Sequence, residues 1–480
     1  LNWQINENHS LGMKMNYGGM LFGNQDIVFE DNVYANDELI DIVHSTSHTT
    51  TPSSHTFTGN IYYDGNINKL HVNFNADFSD SGYKKETNVN ENSQNDPAFI
   101  ENLSDGVARM GAGKLVLSYP IWKGMFKIGT EETYVTAKQE YNSTKTEIPS
   151  SKAKITENNI SGFAEYALPF KYVQVVAGIR YEHVDFEYTN ECSPKDNISR
   201  THNNWFPSFN ASTKIGPVSV NLGYTTKIKR PRYDQLSTEM QYNNRFLYQT
   251  GDPTLLNEIQ NTLSLNANWR WLTLTGAYEV VDNAIYQLGY PYDDDCTAMV
   301  KYSNAKETVR KLNIYLNASP TIGIWNPRYT VGMEKQYFET TVIDPRESTG
   351  TRVVKRNDPM FFVQANNSFK LKQGWLIDLD YQYTSPFDYV MYKFTKPKHS
   401  LNLAVSKSFL KHDALNVRLA WNDILNKTKE HVCTDYGNFI HNQNNDYYSP
   451  SIQLRLSYRF NTANSKYKGT GAGADAKSRM

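Results

Sequence analysis

The chain has 480 residues, of which 39% are hydrophobic and 13% aromatic, and its formal net charge is −1. No stretch approaches the roughly 18 consecutive apolar residues of a membrane-spanning helix, so a helical membrane protein is excluded. The nearly neutral charge gives no electrostatic reason to expect a nucleic-acid partner. A large soluble all-β protein and a transmembrane β-barrel both remain, because barrel strands need an apolar residue only at every second position.

Alternation of apolar and polar residues with a period of two is the main signal along the chain. It is clearest in the ranges 218–225, 375–383, 415–422 and 452–460. Such alternation places the apolar side chains on one face of a strand and the polar ones on the other. We count about nineteen strands of this kind, and the first of them, residues 1–5, is only a stub.

Short and long connections take turns between the predicted strands. The short turns lie near 6–8, 65–68, 121–124, 170–172, 215–217, 269–271, 319–324, 371–374 and 410–413. The longer, polar connections lie near 21–52, 83–106, 141–154, 190–202, 231–260, 290–297, 341–358, 385–397 and 426–446. Short turns at one end and long loops at the other are typical of bacterial outer-membrane barrels. We therefore predict an all-β fold, an antiparallel transmembrane β-barrel over residues 1–460.

Aromatic residues cluster beside the short turns, where an interfacial girdle at the level of the lipid headgroups is expected. They are Tyr119, Trp122, Phe170, Tyr172, Trp269, Trp271, Trp325, Trp375 and Phe409. The short-turn end of the predicted barrel is thereby assigned to one membrane interface.

The strand count and the last twenty residues break the regular pattern. Bacterial barrels normally have an even number of strands, and the nearest large class has about 22 strands around a plug. We therefore expect about three strands, and a plug that this sequence lacks, to lie upstream of Leu1. Residues 461–480 are rich in Gly, Ala, Lys and Ser. We predict that they form a disordered tail on the periplasmic side.

Two motifs carry a resemblance to a known family. Residues 227–236 read KIKRPRYDQL and residues 251–257 read GDPTLLN. They resemble motifs of TonB-dependent receptors of the Bacteroidota, in the outer membrane protein β-barrel family. The matching residues are Arg230, Pro231, Tyr233, Leu236, Gly251, Pro253 and Leu255. Asp252 and Asn257 depart from the family pattern, so the second motif matches more loosely.

The resemblance implies energised import of an unidentified substrate across a Gram-negative outer membrane. It implies a plug and, through that missing N-terminal part, the TonB complex as partners. The closing strand, which ends with Tyr458 and Phe460, is similar to the signal read by the barrel-assembly machinery. The long loops would then be extracellular. A surface lipoprotein partner, a passive pore and a surface-exposed all-β binding protein stay open as alternatives.

Several charged residues are predicted to face the lumen, where they can pair with a plug or stay solvated. They are Arg180, Glu182, Lys227, Lys229, Asp378, Asp380, Arg418, Arg455 and Arg459. The same charges facing lipid near the midplane would each destabilise the barrel by about 2–4 kcal/mol. We expect contact with a plug or solvent at these positions rather than substrate binding.

The sequence contains no catalytic motif, and we predict neither an enzyme nor a bound cofactor. Cys192, Cys296 and Cys433 all fall in predicted loops, where a disulfide and unpaired thiols are both open. Asp293 to Asp295 beside Cys296 could bind calcium, and His431, Cys433 and His441 could bind a transition metal. Because neither group has the spacing of a standard site, we predict no metal centre.

Overall fold

The computed structural model describes residues 1–93, 97–292, 298–447, 450–460 and 467–480, and nearly all of its regular structure is β-strand. Within these ranges, helix α1 (Tyr233–Leu236) and helix α2 (Ala474–Arg479) are the α-helices. Single 3-10 turns lie at Pro194–Asp196, Lys372–Gly374 and Lys411–Asp413. No helix in the described part of the chain is long and apolar enough to cross a membrane.

One large sheet holds 21 of the strands. Its strands are β1 (Asn2–Asn6), β2 (His9–Met20), β3 (Gly23–Ala35), β4 (Glu38–Ile67), β5 (Leu70–Ser93), β6 (Ala98–Ile121), β7 (Gly124–Ser143), β8 (Ser151–Pro169), β9 (Val173–Asn190), β10 (Ile198–Ile215), β11 (Val218–Lys229), β14 (Glu258–Trp269), β15 (Leu272–Asp282), β18 (Val309–Ala318), β19 (Trp325–Ile343), β20 (Thr351–Arg356), β21 (Met360–Lys370), β22 (Trp375–Thr384), β25 (Lys398–Phe409), β26 (Leu415–Asn422) and β29 (Ser451–Tyr458).

Two smaller sheets are built from the long connections. The first contains β12 (Met240–Asn244), β13 (Leu247–Thr250), β16 (Ile285–Pro291) and β17 (Ala298–Asn304). The second contains β23 (Phe387–Tyr389), β24 (Tyr392–Phe394), β27 (Glu430–Asp435) and β28 (Ile440–Asn445). Both sheets therefore belong to the long-loop end of the main sheet.

The main sheet is an antiparallel meander of nineteen full-length spans, as the sequence predicts. Each span is called a stave below and consists of one strand or of two strands joined end to end. Strands β2 and β3 pair end to end with the two halves of β4, so together they make one stave. Strands β20 and β21 do the same along β19. Counting each of these pairs once reduces the 21 strands to nineteen. The all-β antiparallel prediction is confirmed, including the short first strand.

The two edges of the sheet, β1 and β29, do not pair with each other among the described residues, so the predicted barrel is not closed. In an antiparallel meander every second stave runs in the same direction, so the first and nineteenth run parallel. A closing antiparallel ladder between them is therefore impossible.

The predicted short turns are confirmed. Tight two-residue links join β4 to β5, β6 to β7, β10 to β11 and β14 to β15. Their first residues, Asn68, Trp122, Gly216 and Arg270, all have positive φ angles between 53° and 57°. Positive φ suits tight hairpins because it matches the right-handed twist of the paired strands.

Two predicted loops, 21–52 and 83–106, are wrong. Residues 23–35 and 38–51 are instead paired strand, and β5 and β6 are paired up to residues 91 and 98. Apolar residues in these segments stand in short runs, such as 27–29 and 42–43, rather than at every second position, which is why the sequence pattern predicted loops. Alternation is needed only where one face meets lipid or a core, and the backbone ladder forms without it.

Strand β4 has an irregularity where its pairing changes from β3 to β2. Its ladder with β5 shifts between Thr50 and Ser53, with Pro52 between them. Proline has no backbone N–H, so it is tolerated at such a bulge and not inside a regular ladder. On the other side of β4, Leu21 and Phe22 link β2 to β3 without pairing.

The two faces of the main sheet differ in chemistry. On β5 the buried residues are Asn73, Asn75, Asp77 and Ser79, and they alternate with the exposed Phe74 and Phe78. On β11 and β14, Leu222 and Leu265 pair side by side and remain 42% and 41% exposed. Apolar residues thus cover the outer, convex side, and polar residues line the inner face.

The predicted girdle residues lie at the hairpin ends on the short-turn side. The exposed ones are Tyr119, Trp122, Phe170, Tyr172, Trp269, Trp271, Trp375 and Phe409. Trp325 is partly buried and donates its indole N–H to Asn367. This arrangement matches the aromatic belt expected at a membrane interface.

The predicted disorder of residues 461–480 is wrong for the part that is described. Residues 467–480, called the tail segment below, lie along the inner face of the main sheet and include α2. Charged residues of the tail segment pair with carboxylates of β5 and β8. Low apolar content predicted disorder because it excludes an apolar core, but it does not exclude polar docking.

A charge on the outer face tests this assignment. Leu265→Arg should lower the free energy of unfolding in lipid vesicles by about 2–4 kcal/mol, because it places a cation in hydrocarbon. The neighbouring Ser264→Arg points inward and should change it much less. Urea unfolding followed by tryptophan fluorescence measures both. Equal losses for the two variants would contradict the assignment of faces.

Candidate functional site

The first small sheet packs against the inner face of the main sheet at the long-loop end. Met240, Tyr242 and Tyr248 form a buried cluster with residues of β5, β6 and β7. Glu91 fixes this contact, because it accepts hydrogen bonds from Tyr242 Oη (2.7 Å) and Arg245 Nε (2.7 Å). The small sheet is thereby held to the wall by both apolar packing and a charged hydrogen bond.

A cavity of about 860 Å³ lies between this small sheet, the motif at 230–236 and the inner wall. Its size falls in the range of small-molecule binding pockets. Aromatic and charged side chains share its lining, among them Tyr83, Lys85, Tyr141, Arg232, Asp234, Glu239, Tyr242 and Tyr302. Phenol rings next to both signs of charge suit a polar solute that also has flat or apolar surface.

Glu239 is the most perturbed acid of the cavity. It lies in the connection between α1 and β12, outside the strands. Burial raises the pKa of its carboxyl to about 7, although Lys85 opposes part of that shift. The cavity therefore gains a negative charge as the pH rises through neutrality.

The first motif, at residues 230–236, forms a tight turn under the cavity. Arg232 donates its backbone N–H to Gln235 Oε1 at 2.9 Å, which caps the short helix α1. Arg232 and Asp234 line the cavity, whereas Tyr233 and Leu236 are turned into the wall and are only 2% and 1% exposed. Side chains of this one turn therefore face both the cavity and the wall.

The second motif packs against the first. A Cβ at Gly251 would lie 2.3 Å from the carbonyl oxygen of Ser237, so only glycine fits there. Pro253 is buried, and Leu255 joins Leu236 and Tyr233 in one apolar cluster with residues of β7, β8 and β9. The two motifs therefore act as one structural unit.

The lumen-facing candidates form two groups, those in ion pairs and those without a close ion pair within the described part of the chain. The ion pairs are Arg180 Nε donating to Glu182 Oε1 (2.7 Å), Arg418 Nη1 with Asp378 Oδ2 (2.5 Å), and Lys229 Nζ with Glu258 Oε2 (3.2 Å). Lys227, Arg455 and Arg459 are exposed, and Asp380 is partly buried. Arg455 lies directly opposite Arg418 in the register of β26 and β29.

Sequence reasoning missed the residues that contribute most to the inner face. Glu131, Glu157 and Asp77 are polar positions of alternating strands, and so is Asn75. Alternation could have placed them inward. Their spacing gives no sign of what they contact.

Strand β29 ends at Tyr458, two residues before Phe460. Tyr458 and Phe460 stack with ring centroids 6.4 Å apart and are 60% and 87% exposed. Their recognition by assembly machinery remains a prediction.

The cysteine and metal candidates have no shared centre in the described ranges. Cys192 and Cys433 are free thiols. His431 and Cys433 lie on β27, and His441 lies opposite Thr434 on β28. No cluster of three metal-binding side chains occurs within the described ranges. Cys296 and the acidic run at 293–295 lie outside those ranges.

Solved structures with the same fold include two receptors and an outer membrane transporter. The ferric preacinetobactin receptor BauA of Acinetobacter baumannii is 10% identical, with a TM-score of 0.55 over 95% of this chain and 70% of that one. The outer membrane transporter YddB of Escherichia coli is 9% identical, with a TM-score of 0.53 over 96% and 74%. The hemophore receptor HasR of Serratia marcescens is 12% identical, with a TM-score of 0.52 over 95% and 77%.

At these identities the likeness establishes the fold. No protein with a curated description matches the chain in sequence. A family model described as the outer membrane protein beta-barrel family matches residues 64–458, which is most of the chain. The two motifs at 230–236 and 251–255 lie within that match. The chain therefore belongs to the outer membrane protein β-barrel family.

Proposed function

We propose that the chain is the barrel portion of a TonB-dependent outer-membrane transporter that imports a substrate still to be identified. One observation carries the proposal: a nineteen-stave sheet with an apolar outer face encloses a polar inner face and a cavity of about 860 Å³ at its long-loop end. A sheet of this size encloses a wide lumen. The cavity gives that lumen a place where a solute can be held.

The similar structures support transport as the general role. Their names describe a transporter, a ferric preacinetobactin receptor and a hemophore receptor. The parallel directions of β1 and β29 support an additional, odd number of staves in the closed barrel. About three staves would complete the barrel of 22 strands known to hold a plug.

The partners follow from this proposal. A plug preceding the barrel would connect the cavity to the TonB complex, and the barrel-assembly machinery would insert the barrel through its closing strand. The long-loop end would face the cell exterior and the short turns the periplasm. A Gram-negative host of the Bacteroidota fits the two motifs. We assign the chain no catalytic role of its own.

A passive pore is less well supported. The two small sheets lie against the inside of the main sheet, and so does the tail segment. Tyr286 of the first small sheet packs edge-on against Phe338 of β19, with centroids 5.4 Å apart. A sheltered cavity under folded loops is expected of a receptor that must first bind its solute.

Energy dependence separates the two functions. Cells that express the full-length gene should deplete a solute from a mixture of metal chelates, oligosaccharides, peptides and vitamins, and loss of the TonB complex should abolish that depletion. Mass spectrometry of the medium measures it. Depletion that continues without the TonB complex would instead identify a passive pore.

The cavity itself can be tested in the same assay. Tyr302→Ala removes an aromatic ring from the lining and should reduce depletion, by about tenfold if the ring stacks on the solute. Tyr389→Ala removes an exposed ring outside the cavity and serves as the control. Equal effects of both variants would place the binding site elsewhere.

Glu239 predicts a pH dependence of stability. Its pKa rises from 4.5 to about 7 on folding, so its contribution is complete below 4.5 and is lost as the pH rises through 7. The free energy of unfolding should therefore fall by about 1–3 kcal/mol over this range relative to Glu239→Gln. Glu147→Gln, at a 62% exposed carboxylate, is the control. Parallel pH profiles for wild type and Glu239→Gln would contradict the assignment.

A further inference from the structure

The backbone of the tail segment is bound by side chains of the inner wall. Four consecutive amides donate to them: Thr470 N to Asn75 Oδ1 (3.1 Å), Gly471 N to Asn75 Oδ1 (3.0 Å), Ala472 N to Asp77 Oδ1 (2.9 Å) and Gly473 N to Glu131 Oε1 (2.8 Å). Three of the four bonds thus go to polar positions of one strand, β5. Consecutive amides of an extended strand point to opposite sides, so four amides that face one wall require a bent backbone, and Gly471 and Gly473 have positive φ angles of 76° and 65°.

Glycine at 473 allows this close approach. A Cβ there would lie 2.7 Å from Met110 Sδ and 2.9 Å from Ala112 Cβ. Its φ of +65° is also in the left-handed region. Any other residue would have to displace the wall or strain its own backbone. The glycine-rich composition that predicts disorder therefore also fits a tightly docked, bent segment.

Arg479 is the most deeply bound residue of the tail segment. Its side chain is 5% exposed and forms a two-pronged ion pair with Glu157, with Nη1–Oε1 at 2.7 Å and Nη2–Oε2 at 3.0 Å. Its Nε donates to the carbonyl oxygen of Pro231 at 3.0 Å. Its guanidinium lies 4.6 Å from the ring centroid of Tyr233. These contacts use the planar shape of the guanidinium, its charge and its stacking on a ring, and among the side chains only arginine combines the three.

Besides Glu157, residues of the first family motif contact Arg479. Pro231 and Tyr233 contact it directly, and Arg230 pairs with Asp475 of α2 at 2.7 Å and also with Glu182. Arg230, Arg479 and the nearby Arg200 face Glu157, Glu182 and Asp475, and Arg180 also pairs with Glu182. Removing one member leaves a buried charge without compensation.

We propose that the inner wall of β5 to β9 and the motif at 230–236 form a specific binding site for the chain's own tail segment, with Arg479 as its anchor. The motif turn separates two sites: Arg232 and Asp234 line the cavity on one side, and Tyr233 holds Arg479 on the other. The tail segment therefore occupies the lumen directly next to the cavity.

Hydrogen exchange of the full chain in detergent micelles tests this site. In the wild type the amides of residues 470–473 should exchange slowly, because each is bonded to the wall. Arg479→Ala should accelerate their exchange by roughly 100-fold, the factor expected when a buried ion pair loses one partner. Arg479→Lys keeps the charge but loses the paired geometry and should give an intermediate rate.

Two further variants make the test specific. Lys468→Ala removes another cation of the tail segment, whose Nζ lies 3.9 Å from Asp64 Oδ1 in an exposed pair, and should leave the rates unchanged. Glu157→Gln breaks the anchor from the wall side without altering the tail segment and should match Arg479→Ala. Heat-modifiable migration on gels confirms that each variant folds.

The proposal is overturned if the wild-type amides of 470–473 exchange as fast as unbonded ones. It is also overturned if Lys468→Ala accelerates exchange as much as Arg479→Ala does. If Arg479→Ala does not fold, Glu157→Gln decides the question alone.

Discussion

The continuous ladder of hydrogen bonds between neighbouring strands is the interaction on which the rest of the structure depends. In hydrocarbon no water can satisfy a backbone amide, so every N–H and C=O must find its partner within the sheet. Once the ladder satisfies the backbone, the outer face needs only apolar side chains such as Leu222 and Leu265. The inner face is left free for polar chemistry.

That freedom explains how much of the fold the sequence predicts. Alternation, nineteen strands and the short turns at residues such as Asn68 and Trp122 all follow from local rules of pleat and hairpin geometry. The strands at 23–35 and 38–51 were missed because their apolar residues stand in short runs and do not alternate with polar ones. Such segments carry the ladder without the apolar stripe that marks a strand in a sequence.

The site depends on contacts that local patterns cannot reveal. Arg479 and Glu157 are separated by 322 residues, and Ala472 and Asp77 by 395. The resemblance identifies Arg230, Pro231 and Tyr233 as residues of a family motif, but it does not say what they contact. The structure supplies this, since these residues bind the tail segment, while their neighbours Arg232 and Asp234 line the cavity. A single acidic residue such as Glu157 looks ordinary until its partner is in place.

The register shift at Pro52 affects how the wall bends under load. A strand of 30 residues such as β4 extends for about 100 Å at roughly 3.3 Å per residue, whereas about ten residues suffice to cross a bilayer. Much of β4 therefore stands outside the hydrocarbon as a stiff collar. At Pro52 the ladder to β5 shifts, and on the other side Leu21 and Phe22 leave a gap between β2 and β3. This level is the most compliant cross-section at that edge of the wall, where a sideways load on the collar bends the sheet first.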